Sequence, residues 1–370
     1  MAMAMAMAPK PMSPMSAQAV RFCASFDATR IAFAVTGRGP VLVKAPHWLT
    51  HLEYEWQSPL WRPWIAALSM RHTLVRMDAR ASGLSDWQVS DIAFEAYVRD
   101  LEAVVDAARC QGPFVLFGHS QGAAIAVEFA ARHPERVSHL VILGGYARGI
   151  RHRGLPPDRL AEHEALLQLI EAGWGREDDA YRRLFAVQFV PDATLEQIKS
   201  LSELQRHASS PANAARLVRS FHDIDVAASA PRVRCPALVV HARRDRRVPY
   251  EEGRLLAGLI PGARFVSLDT DNHILLPQEG AFAAFFTELD GFLGSAAANA
   301  ARTAFASLTA REAQILERMA RGLDNAQIAA QLELAEKTVR NAITRIFQKL
   351  QVESRSQAIV LALRHGLGQD

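Results

Sequence analysis

The run Gly118-His119-Ser120-Gln121-Gly122 places a hydroxyl between two residues too small to crowd a sharp turn. A β-rich run, Phe114–Phe117, precedes it, and a helical pattern from Ala123 to Arg132 follows, ending before His133-Pro134. Strand, tight turn and helix in that order lift the serine clear of the backbone and set the positive end of a helix beneath it. A hydroxyl so placed suits nucleophilic chemistry, but it needs a base, and the base needs an orienting carboxylate. Leu238–His241 is followed by Arg243-Arg244-Asp245, and Phe265–Leu268 by Asp271-Asn272-His273. Asp245 and His273 therefore fall just past strand ends, on the sheet edge where Ser120 stands. Two alternatives stay open. Asp271 competes with Asp245, which could instead pair with Arg243 or Arg247, and the chain offers 13 histidines for the role of base.

The elements that must position these groups are legible. Strand candidates are Val20–Ser25, Ile31–Val35, Val41–Val43, Thr73–Met77, Phe114–Phe117, Leu140–Leu143, Leu238–His241 and Phe265–Leu268. Runs of Val, Leu and Phe alternating with longer helical patterns predict an α/β fold, a mostly parallel eight-stranded sheet covered on both faces. The order Ser, Asp, His and the segment from Asp78 to Ser85 resemble the α/β-hydrolase fold over residues 20–295. That resemblance implies Ser120 as nucleophile, His273 as base and Asp245 as orienter. It also implies an oxyanion hole after the third strand. Where such folds usually carry His-Gly, this chain reads Lys44-Ala45-Pro46-His47-Trp48-Leu49, which makes Leu49 the amide donor beside Gln121. Trp in place of Gly restricts the backbone. Loss of one well-aimed donor costs about 10²–10³ in rate, so slow turnover is expected. The resemblance further implies a helical cap at about 148–230, where the sheet pattern lapses into amphipathic helices near Asp158–Ala172, Asp178–Phe189, Thr194–Arg206 and Pro211–Phe221. His47, Trp48 and His119 are expected at a ligand pocket below it. Tyr54, Trp56, Trp61, Trp64 and Trp87 either join Trp48 there or pack loops onto the core.

The last seventy or so residues are built differently. Thr309 with Glu312 forms a capping-box pattern, Asp324 with Gln327 repeats it, and Ser354 with Gln357 repeats it again. Gly322 suits a left-handed helix end. Along Glu336 to Leu350, Val339, Ile343, Ile346 and Leu350 share one face, leaving Lys337, Arg340, Asn341, Thr344 and Arg345 outside. Arg and Asn reach base edges bidentately, while Lys and Thr suit phosphates. From Ala301 onward there are ten Lys or Arg against seven Asp or Glu, a surplus of three that equals the whole chain's +3. This segment, Leu308 to about Gly366, resembles the LuxR-type (GerE-type) helix-turn-helix of bacterial transcription regulators, a small all-α four-helix domain. The resemblance implies base contacts from Arg340, Asn341 and Thr344. Phosphate contacts are implied for Lys337, Thr338 and Lys349, with pairing of two subunits through the fourth helix. Ala342 stands where that family commonly has His, and Ala335 where a capping Ser is frequent.

A chain of 370 residues is comfortable for two domains, and 49% hydrophobic with 22% charged residues is globular. No apolar run approaches the roughly 20 residues of a membrane span. Residues 1–19 read as a disordered tail and 296–304, rich in Ala, as a linker ahead of a module at 305–370. Cys23, Cys110 and Cys235 follow no metal spacing and read as reduced thiols of a cytoplasmic protein. No metal or cofactor is expected. The expected partners are double-stranded DNA, a small-molecule effector or substrate such as an ester or lactone, and a second copy of the chain. Three functions fit, in this order: a DNA-binding regulator that senses this compound, a serine hydrolase carrying a DNA-binding module, and a pure binding module with a degenerate active site.

Overall fold

The computed structural model describes residues 18–174, 176, 178–305, 307–364 and 367, with backbone alone at 179, 182, 183, 295–304 and 364. It divides into two compact units between Phe286 and Thr287. In the first unit eight strands form one sheet: β1 (Ala19–Ala24), β2 (Arg30–Thr36), β3 (Val41–Lys44), β4 (Thr73–Met77), β5 (Phe114–His119), β6 (Val137–Leu143), β7 (Ala237–Ala242) and β8 (Arg264–Leu268). Their order is β1-β2-β4-β3-β5-β6-β7-β8. β2 runs antiparallel to β1 and β4, and every other pairing is parallel.

The helices between them are α1 (Leu52–Gln57), α2 (Arg62–Ser69), α3 (Phe94–Ala107), α4 (Gly122–Arg132), the cap helices α5 (Pro157–Gly173), α6 (Asp179–Phe189), α7 (Leu195–Ala208) and α8 (Pro211–His222), then α9 (Tyr250–Leu259) and α10 (Gly280–Ala304). Every residue of β5 is buried, as a central strand covered on both faces requires. Phe114 meets Phe129 of α4 at 5.9 Å between ring centroids. Phe117, three residues on and so on the other face, stacks on Trp64 of α2 at 6.3 Å and meets Phe285 of α10 at 5.8 Å. Opposite faces of one strand thus hold α4 and the α2–α10 pair. The cap opens and closes at one neck: Gly149 N donates to Ile224 O at 2.6 Å and Val226 N to Ala147 O at 2.9 Å.

The second unit holds α11 (Ala310–Ala320), α12 (Asn325–Leu332), α13 (Glu336–Leu350) and α14 (Arg355–Arg364). Both reciprocal capping boxes, Thr309 with Glu312 and Asp324 with Gln327, are formed. At α14 the pattern is looser: Ser354 Oγ accepts from Gln357 N, but the Gln357 side chain turns to Glu353 N. Gly322 has φ +84. Ile315, Leu316, Met319, Ile328, Val339, Ile346 and Ala358 form the core of this unit.

Two expected boundaries move. Residues 1–17 of the expected tail lie outside the described residues, but Ala19 already pairs with Val35 in β1. The stretch expected as a linker, 296–304, is the second half of α10. Alanine has the highest helix propensity, so a run of it extends a helix that is already nucleated.

The loop after β4 turns on Asp78, which is fully buried. Its Oδ2 accepts from Leu84 N at 2.9 Å and Leu52 N at 3.2 Å, while Oδ1 has no hydrogen-bond partner among the described residues. Burial pushes this carboxyl up to about 7, with the Glu55 charge adding to it and the two amides and Arg76 opposing. The unfolded carboxyl ionises near 3.8, so the native state holds an extra proton between these values. The stability this group contributes is therefore fully present below about pH 4 and is lost as pH rises through about 7. Asp78→Asn should remove that loss, worth at most about 1.4 kcal/mol per pH unit across the window. Thermal denaturation at pH 4.5 and pH 8 checks it: the variant gains relative to the parent at pH 8. An identical pH dependence in the two proteins contradicts the assignment.

Candidate active site and DNA-facing helix

Ser120 sits at the turn between β5 and α4 with φ +56, a left-handed backbone that a serine adopts only under constraint. The constraint is close approach. A Cβ on Gly118 would lie 2.6 Å from Ala123 Cα, and one on Gly122 would lie 2.7 Å from Pro46 O. Ser120 N donates to Leu143 O at 3.0 Å, and Ala123 N to Ser120 O at 3.0 Å, which fixes the turn from both sides.

Sequence order alone left the carboxylate open. His273 Nδ1 lies 2.7 Å from Asp245 Oδ2, with both side chains at most 1% exposed. Asp245 Oδ1 accepts from Arg247 N at 2.8 Å and Val248 N at 2.9 Å. Burial works against its charge, but His273, His241 and the Val248 amide outweigh that and hold the carboxyl below its usual value. Asp271 is elsewhere, bonded to Arg244 and Arg246. The backbone at His273 and Ile274 is pinned to the cap, both amides donating to Phe189 O at 2.9 and 3.1 Å. His273 Nε2 is buried without a hydrogen-bond partner among the described residues, so the Ser120 hydroxyl is not bonded to it here.

A cleft of about 390 Å³ brings together Ser120, His273, Gln121, Leu49, His47, Trp48 and His119. Leu49 takes a left-handed φ of +58, and neither its amide nor that of Gln121 donates to another protein group among the described residues. The two histidines form the floor. His119 stacks on His273 at 5.1 Å between centroids and its Nε2 lies 3.2 Å from His273 O. His47 takes a hydrogen bond at Nδ1 from Lys44 Nζ, 3.0 Å away. Burial drives both rings well below the usual imidazole range, helped at His119 by His273 and at His47 by Lys44, so both are neutral. Burial likewise brings Lys44 down to about 8. Lys44 anchors the loop that carries Leu49, a role the sequence did not suggest.

Of the early aromatics, Trp48 and Trp61 line the cleft. Trp64 belongs to the core, with Nε1 donating to Leu275 O at 3.0 Å. Tyr54 stacks on His207 and Trp87 donates to Gly83 O. Cap residues Phe189, Leu201 and Leu204 complete the apolar wall. They were hidden in sequence because an amphipathic helix announces its buried face but not what that face covers. Among the described residues, no cluster of three or more His, Cys, Asp or Glu could hold a metal, and no helix is long and apolar enough to cross a membrane.

In the second unit, Lys337, Thr338, Arg340, Asn341 and Thr344 are all exposed on α13, while Val339, Ala342, Ile343 and Ile346 are buried. Ala342, the departure noted in sequence, is thus a core residue. α13 starts at Ala335 without a side-chain cap. Arg340 leans on Glu336 at 3.1 Å. Lys349 is also exposed, but its ammonium donates to Glu312 Oε2 at 2.6 Å, tying α13 to α11.

Comparison with known proteins agrees with both halves. Residues 52–279 match the alpha/beta hydrolase fold family, and residues 306–362 match the bacterial regulatory proteins of the luxR family. The chain belongs to the α/β-hydrolase fold family. It carries a LuxR-type DNA-binding domain at its C-terminal end. Among its relatives, the pyrrolizixenacetamide deacetylase of Xenorhabdus hominickii is 28% identical over 260 residues, 68% of this chain and 91% of that protein. The pimeloyl-[acyl-carrier protein] methyl ester esterase of Chromobacterium violaceum is 31% identical over 180 residues, 47% of this chain and 69% of that protein. An esterase from Exiguobacterium antarcticum superposes with a TM-score of 0.60 at 20% identity, covering 74% of this chain and 97% of that one. The enol-lactonase from Burkholderia xenovorans LB400 gives 0.54 at 23% identity, covering 74% and 100%. At these identities the structural likeness speaks for the fold alone.

Proposed function

We propose that this chain is a DNA-binding transcriptional regulator whose hydrolase domain binds a small acyl compound, such as an ester or lactone, and hydrolyses it slowly. The observation that carries this reading is the unpartnered Nε2 of His273, buried in a cleft with Ser120 while Asp245 holds the other nitrogen. In the proposed step, Ser120 Oγ attacks the carbonyl carbon and its proton passes to His273 Nε2. Asp245 stabilises the imidazolium so formed. The amides of Leu49 and Gln121 receive the developing oxyanion. His273 then returns the proton to the departing alkoxide as the C–O bond breaks. Water, activated by the same nitrogen, releases the acid and restores the hydroxyl. Slow turnover follows from two features: the hydroxyl must first swing onto His273, and Trp48 stiffens the donor loop. The activities named for the deacetylase and the methyl ester esterase point to the same acyl chemistry.

Occupancy of the cleft would report on the DNA domain, which would read an operator through Arg340, Asn341 and Thr344 with Lys337, Thr338 and Lys349 on phosphates. A homodimer paired through α14 would read two half-sites about 10 base pairs apart. The second reading, an active serine hydrolase with a DNA-binding module, is favoured by the intact His273–Asp245 pair, which a pure binding pocket does not require.

A neutral fluorophosphonate should label Ser120. Ser120→Ala should abolish the label and His273→Ala should slow it by about 10²-fold or more. A serine that stays unlabelled contradicts the catalytic reading. On an operator selected from random duplexes, Arg340→Ala should cost about 1–3 kcal/mol in a gel-shift titration, and sedimentation of the parent complex should give two chains per operator. Unchanged affinity excludes the recognition-helix assignment, and a single bound chain excludes the dimer.

A further inference from the structure

The cleft at Ser120 has a second lobe of about 480 Å³ that shares Trp48, Ser120, Gln121 and Phe189 with the apolar one. Charge distinguishes the two. The second lobe is lined by Arg153 and Arg247, together with Tyr146 and His222. Arg247 has no carboxylate within ion-pair distance and no side-chain hydrogen bond among the described residues, and its guanidinium lies 5.4 Å from the centroid of the Phe189 ring. Arg153 donates from Nε to Arg148 O at 2.8 Å and lies 5.0 Å over Tyr146. The carboxylate nearest Arg153, Glu252, is 3.9 Å away and is already engaged by Arg148 at 2.9 Å. Burial drives the His222 imidazole down to about 4, with His163, Arg247 and Arg151 adding to it and Asp223 opposing, so it adds no charge near neutral pH.

A guanidinium kept for packing is normally given a carboxylate or a carbonyl, because an uncompensated buried cation is costly. Here two guanidiniums face one cleft, and both carboxylates near them among the described residues are engaged elsewhere, Glu252 by Arg148 and Asp245, whose charge reaches Arg247, by His273. Arg148, Arg153 and Arg247 set against Glu252 and Asp245 leave a surplus of about one positive charge. A carboxylate carries one negative charge and matches the planar fork, whereas a phosphate monoester carries nearly two at neutral pH.

Building on the reading of this cleft as the acyl site, we infer that its ligand carries a carboxylate, held by Arg247 and Arg153 in the second lobe. The uncharged part of the ligand occupies the apolar lobe, and the carbonyl to be attacked lies between them at Ser120. The compound is thus a half-ester, or the lactone of an acid that keeps a second carboxylate, and neutral esters are poorer ligands.

Calorimetric titration of the whole chain, as Ser120→Ala to prevent turnover, tests this with the monomethyl and dimethyl esters of succinate, glutarate and adipate. At least one monoester should bind about tenfold or more tightly than its diester. The preference should shrink to about twofold or less in Arg247→Met, with diester affinity retained as the control for folding. Equal binding of the two series, or no binding of either, overturns the inference without recourse to a variant. Retention of the preference in both Arg247→Met and Arg153→Met also overturns it. Fluorophosphonate labelling of Ser120 depends on the serine and not on the anion, so it separates failure of this inference from failure of the hydrolytic reading.

Discussion

The close approach of α4 to the end of β5 is the constraint on which the first unit depends. The turn between them leaves no room for a side chain at Gly118 or Gly122, and Ser120 between those glycines is held at φ +56. Nothing local favours that backbone for a serine, and such strain persists only when the surroundings over-determine it. Here they do. Leu143 O holds the Ser120 amide, and Pro46 O lies against Gly122. The Pro46 contact sets the loop carrying Leu49 beside the serine. Loss of the turn would release the hydroxyl, the second amide and the entry to the cleft together.

The remaining groups are placed from farther off. β7 and β8 bring Asp245 and His273 to the same edge, and Phe189 O of the cap takes both the His273 and Ile274 amides. The cap is therefore part of the site's geometry as well as its roof. Its helices supply the apolar wall, and its neck supplies Arg153. The cleft is apolar on one side of Ser120 and cationic on the other, the polarity from which a two-ended ligand is inferred. In the second unit the division of labour is simpler. Val339, Ile343 and Ile346 fix α13 to the bundle, Lys349 is tied to Glu312, and Lys337, Arg340 and Asn341 remain in solvent.

Much of this was legible in the chain. All eight strands were visible as Val, Leu and Phe runs, and Thr73–Met77 was placed to the residue. β6 begins three residues earlier than its apolar run because Val137 and the polar His139 pair with β5, with Ser138 at the register shift between them. The four cap helices and the two reciprocal capping boxes were likewise set by local chemistry. Tertiary distance was not legible. Asp245 was the orienter the resemblance implied, but Asp271 stayed its rival in sequence, and only the fold shows one on His273 and the other on surface arginines. Arg153 and Arg247 come from unrelated segments, and no spacing rule joins them. Trp64 and Trp48 look alike as residues, yet one is core and the other lines the cleft.

Both halves acquire a common purpose only if the state of the Ser120 cleft alters DNA binding. The measurement that bears on this most directly is the affinity of the whole chain for its operator before and after complete phosphonylation of Ser120, at fixed salt. The account predicts a change of about fivefold or more, the lower end of ordinary allosteric coupling. Identical dissociation constants for the two forms would contradict it and leave a hydrolase and a DNA-binding domain that share a chain without sharing a function.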